Sequence, residues 1–457
     1  MKNKDIGNLT ITYIGGGSRG WAWTFMTDLA LDKDAGGEIR LYDIDFEAAN
    51  RNMIIGNRLQ GNWRYSVCKT LSEAIDGADF IIISILPGTF AEMRSDVHLP
   101  ERLGIYQSVG DTTGPGGIIR AMRTVPVFVK FAEAIRSHAP DTWVINYTNP
   151  MAICLRTLYH IFPEIKALGF CHEVFGTQKL LAAMVEHMLG VSGVNRHEIF
   201  INVLGLNHFT WINKASYKGY CLMDMYHEFA EKFRETGYNS DDAEALSENF
   251  TSLNRVKFDL FRRFGWIAAA GDRHLAEFMP GDEYLKDPET VRRWGFHLTP
   301  VDWREEDMDL KLEKSSKLAS GEINMDMHPS GEEGVAIIKA LCGAGRMVTN
   351  VNLPNYCRQI SNLPEETIVE TNAVFSMDDA RPVHAGALSD SIYKLMLPHA
   401  ENQTIILKAA LNCDRAYLYE AFERDPLVRG RVSSASLRLL VDDMIKNTLK
   451  YLPKGWK

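Results

Sequence analysis

The sequence predicts an α/β protein: a doubly wound parallel sheet over residues 1–198, followed by an α+β domain over residues 199–457. Three observations carry this reading. The apolar runs in the first part are short and do not alternate, which is the pattern of strands buried on both faces. Stretches with helical spacing separate them, the rhythm of strand–helix–strand units. Beyond about residue 200 that rhythm gives way to mixed signals and a more charged chain.

The elements follow in order. Leu9–Ile14 is a strand feeding a glycine turn, and Trp21–Leu31 has helical spacing. Ile39–Tyr42 is the second strand, closing on Asp43. Phe80–Leu86, Trp143–Tyr147 and Ile165–Phe170 are further strands of the buried type. Glu198–Leu204 opens the second half as a β-rich run. From 224 to 290 the chain reads as mostly helical, Asp307–Asn324 as a loop or an exposed helix, and Thr404–Phe422 as one long helix. No internal repeat, low-complexity tract or flexible linker interrupts them.

Composition narrows the function. A chain of 457 residues, 46% hydrophobic and 24% charged, has the make-up of a soluble globular protein with a large core. The longest apolar runs, such as Phe80–Pro87, are too short to cross a bilayer. A net charge of −9 without a basic run argues against nucleic acid and anionic membranes as partners, though not against a local positive pocket. The start MKNKDIGNLT has no apolar signal core, and the seven cysteines read as reduced thiols, so the expected location is the cytoplasm.

Gly15–Gly20 reads GGGSRG and fits G-x-G-x-x-G through Gly15, Gly17 and Gly20, with Ser18 in the same turn. A strand precedes it and a helix follows. The glycines permit a tight turn and close backbone approach, and the helix N-terminus offers N–H groups to a pyrophosphate. Asp43 ends the second strand, where a carboxylate can hold the adenosine ribose hydroxyls and favour NAD over NADP. These features make the first domain Rossmann-like.

Four more segments should meet at the carboxyl edge of the sheet: Gly110–Gly117 with Asp111, Asn146–Pro150 with Asn149, Cys171-His172-Glu173, and Gly205–His208 with Asn207. Pro150 suits a first helical position and Asn149 the cap before it. The Cys171 thiolate and the His208 imidazole are good ligands for a divalent transition metal. Two protein ligands leave positions open for substrate oxygens. The same residue types also occur as packed strand-end side chains, so spacing leaves both readings open.

The ordered set GGGSRG, RSDVHLPERLGIY at 94–106, GDTTGPGG at 110–117, MRTVPV at 122–127, NYTNP at 146–150, GFCHEV at 169–174 and GLNH at 205–208 resembles glycoside hydrolase family 4. LMLPHAENQ at 395–403 and DPLV at 425–428 extend the resemblance over nearly the whole chain. These are NAD- and metal-dependent glycosidases. Cys171-His172-Glu173-Val174 resembles the α-galacturonidase subgroup, whose neighbours are α-glucosidases, α-galactosidases and α-glucuronidases. The resemblance implies a redox-elimination route in place of the usual two carboxylates. NAD+ takes hydride from C3, the metal polarises the C2 and C3 oxygens, and a base removes the C2 proton. The glycosidic bond then eliminates, water adds and the hydride returns.

The resemblance also implies residue roles. Cys171 and His208 would ligate Mn2+ or another divalent metal, and Asn149 would bind sugar hydroxyls. Arg94 matches an arginine near the substrate and could pair with a uronate carboxylate. The C2 base of phosphosugar-cleaving members is a tyrosine, which the comparable stretch Ala268–His274 lacks. Asp272 is therefore the candidate base, with Arg273 and His274 on substrate or cofactor. His172 is the candidate to assist the leaving group, Asp111 is the rival acid, and Glu173 orients His172 or recognises substrate. The expected partner is a small uronide or oligosaccharide, and the expected assembly a homodimer or homotetramer. Two other readings compete: an NAD-dependent 2-hydroxy-acid dehydrogenase, which leaves Cys171 and His208 unexplained, and a nucleotide-sensing protein without catalysis.

Overall fold

The structure, a computed structural model, describes residues 5–239 and 252–456. Its strands are β1 (Leu9–Ile14), β2 (Gly37–Tyr42), β3 (Trp63–Val67), β4 (Phe80–Ile83), β5 (Trp143–Asn146), β6 (Lys166–Gly169), β7 (Ile199–Leu206), β8 (Phe209–Tyr217), β9 (Tyr220–Cys221), β10 (Ile267–Ala268), β11 (Met347–Pro354), β12 (Ile368–Ser376) and β13 (Asp379–Pro382). All belong to one sheet, with main order β10-β8-β7-β12-β11-β6-β5-β4-β1-β2-β3. From β3 to β6 every pairing is parallel, in the 3-2-1-4-5-6 order of a dinucleotide-binding fold.

The apolar runs explain the two covered faces. Leu9, Ile11, Tyr13, Phe80 and Ile82 pack against helices Trp21–Leu31 and Gly334–Leu341. Ile14, Ile81, Ile83, Val144 and Ala167 face the other way, onto helices Gly114–His138 and Met151–Ile161. Side chains alternate between faces at a period of two, so a strand buried on both sides must be apolar throughout.

The second half does not form a separate sheet. β11 pairs antiparallel with β6 through Asn352 and Gly169, and β12, β7 and β8 continue in antiparallel sense. β7 begins at Ile199, so the expected boundary at 198/199 coincides with a new strand but not with a gap in the sheet.

Several elements differ from expectation. β3 was not foreseen: only Trp63 and Tyr65 are buried, and Arg64 between them is exposed. The long helix expected at Thr404–Phe422 is two helices, Asp390–Asn412 and Arg415–Arg424, broken at Cys413, which sits at φ 52°. Asp307–Asn324 falls mostly within a helix, Val301–Ser320. Part of the helical stretch expected over 224–290 lies outside the described residues. Among the described residues no helix is long and apolar enough to cross a membrane.

Candidate active site

The glycine turn after β1 is shaped for close backbone approach. Gly15 lies at φ 95°, and a Cβ there would stand 1.9 Å from the Ser84 carbonyl oxygen, so only glycine fits. Gly17 donates its N–H to Asp43 Oδ2 at 2.9 Å. Asp43 also accepts from the Asp45 N–H at 2.9 Å, and burial nonetheless raises its pKa. Asn52, fully buried and not singled out by sequence, donates to the carbonyls of Gly16 at 2.7 Å and Ser18 at 2.8 Å and accepts from Trp23 Nε1 at 2.8 Å. Ser18 Oγ accepts from the Gly20 N–H at 3.4 Å. No side chain caps helix Trp21–Leu31, so no side-chain acceptor competes with an anion for its first N–H groups.

Across the crevice four segments meet, but only Cys171 and Asn149 do so by following parallel strands, because β7, which leads to His208, runs opposite to β6 and Asp111 follows a helical stretch. Cys171 follows β6, Asn149 follows β5, Asp111 precedes helix Gly114–His138, and His208 lies in the tight turn joining β7 to β8. His208 holds a left-handed φ of 64°, a strained backbone of the kind found at functional sites. Its Nε2 is 3.2 Å from Cys171 Sγ and its Nδ1 is 2.8 Å from Thr112 Oγ1. Thr112 donates its proton to Asp111 Oδ1 at 2.6 Å. The Thr112 oxygen is therefore left to accept from His208 Nδ1–H, which leaves the Nε2 lone pair facing the thiol. Asp111 Oδ2 accepts from Asn149 Nδ2 at 3.3 Å, while Asn149 Oδ1 is buried without a partner.

Helix Asp272–Glu277 supplies the remaining wall. The His274 ring lies 3.7 Å from that of His208, and Asp111, His208 and His274 bring one ligand atom each within 4.8 Å of one another. Glu173 accepts from the Gly271 N–H at 2.7 Å and stands 3.7 Å from His274 Nε2. His172 Nδ1 is 3.1 Å from Glu332. Behind Cys171, Glu370 accepts from Asn350 Nδ2 at 2.6 Å and Asn207 Nδ2 at 3.4 Å, and Asn350 also donates to the Cys171 carbonyl at 3.3 Å.

The electrostatics follow from burial and neighbours. Burial disfavours the Asp111 carboxylate, but Arg120, His274 and His208 together hold it well below the usual range. Burial of Glu173 is likewise outweighed by His274 and His172, to about 2. Burial lowers His208 to about 3 and lowers His274 too. Burial, then Glu370 and Glu173, push the Cys171 thiol well up, so the thiolate needs a cation beside it. His172 is disfavoured as a cation by burial, yet its bond to Glu332 lifts it to about 8.

Three expected site residues have other partners. Arg94 is on the exposed flank, its guanidinium 2.6 Å from Asp302 and 2.9 Å from Glu305 of helix Val301–Ser320. Asp272 is fully buried, accepts from the Val256 and Lys257 N–H groups at 3.3 and 3.1 Å, and balances the buried Lys257 ammonium. Through those two bonds it anchors the start of helix Arg255–Phe264. Arg273 donates to the carbonyls of His297, at 3.2 Å, and Ser108. Beside it Glu277 accepts from the Val109 and Gly110 N–H groups at 2.7 and 2.9 Å, so one short helix holds the loop that carries Asp111.

Sequence reading missed Thr112, Arg120, Glu277, Arg304, Glu332 and Glu370. Arg120 had a signal: an arginine inside the apolar run Gly116–Met122 is out of place unless it has a buried partner. Its Nε donates to the Asn149 carbonyl at 3.1 Å, and its charge reaches Asp111.

The residues present fit both groups that the resemblance implies. Thiol and imidazole donors already touch, a carboxylate and a second imidazole stand close, and His274 Nδ1 is buried without a partner. That donor set suits a borderline divalent cation. The glycine turn, the uncapped helix and Asp43 suit a dinucleotide.

Comparison with known proteins gives a consistent picture. The profile of the family 4 glycosyl hydrolases matches residues 10–187, and that of their C-terminal domain matches residues 203–428. An α-galacturonidase of Thermoanaerobacterium saccharolyticum is 56% identical over 459 residues, covering 99% of this chain and 98% of its own. The crystal structure of the Bacillus subtilis protein LplD is 50% identical, with a TM-score of 0.91 over 96% of this chain and 99% of that one. A 6-phospho-α-glucosidase from gut microorganisms, solved with NAD and Mn2+, shares the fold at a TM-score of 0.80 and 19% identity, covering 98% of this chain and 99% of its own.

Proposed function

The chain belongs to family 4 of the glycosyl hydrolases, and from that premise we propose that it hydrolyses α-galacturonides by an NAD- and divalent-metal-dependent oxidation–elimination–addition–reduction route. The full-length relative named an α-galacturonidase supports the substrate, and the fold-mate solved with NAD and Mn2+ supports the cofactors. The observation that carries the reading is the Cys171–His208 contact beside Asp111, Asn149 and His274, in the fold of a dinucleotide crevice. A plain dehydrogenase has no use for that donor set.

When bound, NAD+ supplies a hydride acceptor for the sugar C3, and the cation polarises the oxygens at C2 and C3. Cys171 Sγ and His208 Nε2 would hold the cation. The orphan Asn149 Oδ1 would accept from a sugar hydroxyl. His274, with Nε2–H turned towards Glu173, would take the C2 proton on Nδ1, in place of Asp272. His172, held by Glu332, would give a proton from Nε2 to the departing oxygen. Arg304, whose charge is felt at Asp111, would pair with the uronate carboxylate in place of Arg94. Reduced thiols and an NAD requirement suit the cytoplasm, and the resemblance implies a homodimer or homotetramer.

Proton NMR in D2O with a small α-galacturonide, NAD+, Mn2+ and a reductant tests the reading. Galacturonate carrying deuterium at C2, formed only when both cofactors are present, is the expected result. Release without deuterium removes the elimination step. Faster cleavage of a galactoside, glucoside or glucuronide moves the chain to another subgroup, and NADH accumulating on a 2-hydroxy acid makes it a dehydrogenase.

A further inference from the structure

Neither the donor set nor the glycine turn accounts for one aromatic side chain at the crevice. Trp21, the first residue of its helix, remains 40% exposed although its indole stacks on Tyr147 at 5.6 Å and 30°. The His172 ring lies 5.5 Å from the same indole. Tyr147 follows β5 and His172 follows Cys171, so three rings make a wall beginning one residue from the donors. Glu332 closes it: one carboxylate oxygen is 3.1 Å from His172 Nδ1, and the other is buried with no hydrogen-bond partner.

An indole still 40% exposed, with a buried orphan acceptor in the same wall, matches a pyranose. One face of that ring is C–H bonds, which pack on an indole, and its edge carries hydroxyls that donate to a carboxylate. A phosphate would find an anion in Glu332, and a purely apolar ligand would leave the buried oxygen unpaired. The wall adjoins His172, the residue assigned above to the departing oxygen, so a sugar resting there lies on the leaving-group side.

We propose that Trp21, Tyr147 and Glu332 form a binding subsite for the leaving-group pyranose, which makes a di- or oligosaccharide the substrate rather than a simple alkyl galacturonide. This rests on the glycosidase reading above. The binding energy of a sugar remote from the bond that breaks is then available to position it.

The test is kcat/KM for a galacturonosyl disaccharide whose leaving sugar is neutral and for methyl α-galacturonide, with NAD+ and Mn2+, in wild type, Trp21→Ala and Trp21→Phe. NAD+ affinity and melting are followed in each. Losing the stacked ring should lower the disaccharide-to-methyl ratio by about tenfold, with Trp21→Phe restoring most of it. Both substrates falling by one factor, an unmoved ratio, or NAD+ affinity falling in step with activity would each overturn the subsite alone. A wild type inert towards both substrates would overturn the glycosidase reading together with the subsite.

Discussion

A single hydroxyl decides which nitrogen of His208 carries the proton. Thr112 has one proton and gives it to Asp111, so His208 must donate from Nδ1 and present a lone pair at Nε2. Thr112→Val keeps the volume and removes the relay. Mn2+ affinity, read by electron paramagnetic resonance titration, should fall by about tenfold to a hundredfold, and Thr112→Ser should restore it. An unchanged affinity would mean that the cation sets the tautomer unaided. Asp272 poses the opposite problem, because its carboxylate is spent on two backbone N–H groups and on the Lys257 charge. Asp272→Asn should cost about 3 kcal/mol of stability by leaving a buried ammonium uncompensated, while the folded fraction still exchanges the C2 proton. His274→Gln should do the reverse, melting like wild type but exchanging nothing. If Asp272→Asn melts normally and exchange stops, the base is Asp272.

At the scale of elements, helix Asp272–Glu277 couples the loop bearing Asp111 to His274. Glu277 grips the Val109 and Gly110 N–H groups with one oxygen, and its other oxygen is buried without a partner. Burial raises Glu277 from its ordinary 4.5 to about 8. A raised carboxyl binds more protons folded than unfolded, so its contribution is whole below pH 4.5 and is lost as pH rises through about 8. Within that window denaturant titrations should show stability falling by up to about 1.4 kcal/mol per pH unit, and Glu277→Gln should flatten the slope. An equal slope in the variant would assign the loss to other groups. The same helix shows what the sequence could reveal. Cys171 and Asn149 were legible because segments following parallel strands of one sheet converge at its carboxyl edge, a rule that does not place Asp111, which follows a helical stretch, or His208, which follows a strand of opposite sense. Glu277 and the Thr112–His208 contact were not legible, because their partners lie far along the chain and no spacing encodes them. The ion pairs of Arg94 were hidden for a related reason: charge and motif do not say which face of helix Phe90–His98 meets helix Val301–Ser320.

At the scale of the molecule, the two halves share one sheet and one centre. A parallel sheet holding β1, β2, β4, β5 and β6 was foreseeable from uninterrupted apolar runs, whereas β3 was not, and neither was the insertion of β11 beside β6, since that pairing joins strands from opposite halves. The insertion carries Asn350 and, through β12, Glu370 to the back of Cys171. The proposed ligands themselves divide between the halves: Cys171 comes from the first and His208 from the second. A cation bound there ties both halves of the native state and nothing in the unfolded chain. Protein hydrogen bonds already hold these side chains, so the chelated protein should stay folded. Mn2+ at about a hundred times its dissociation constant should then stabilise the chain by about 2.7 kcal/mol. Because the sheet is continuous, calorimetry should show this as the upward shift of one transition. Cys171→Ser should abolish the shift while NAD+ still binds. Two transitions of which only one moves with Mn2+ would mean that the seam between β6 and β11 does not couple the halves, and that the donors meet only after each has folded alone.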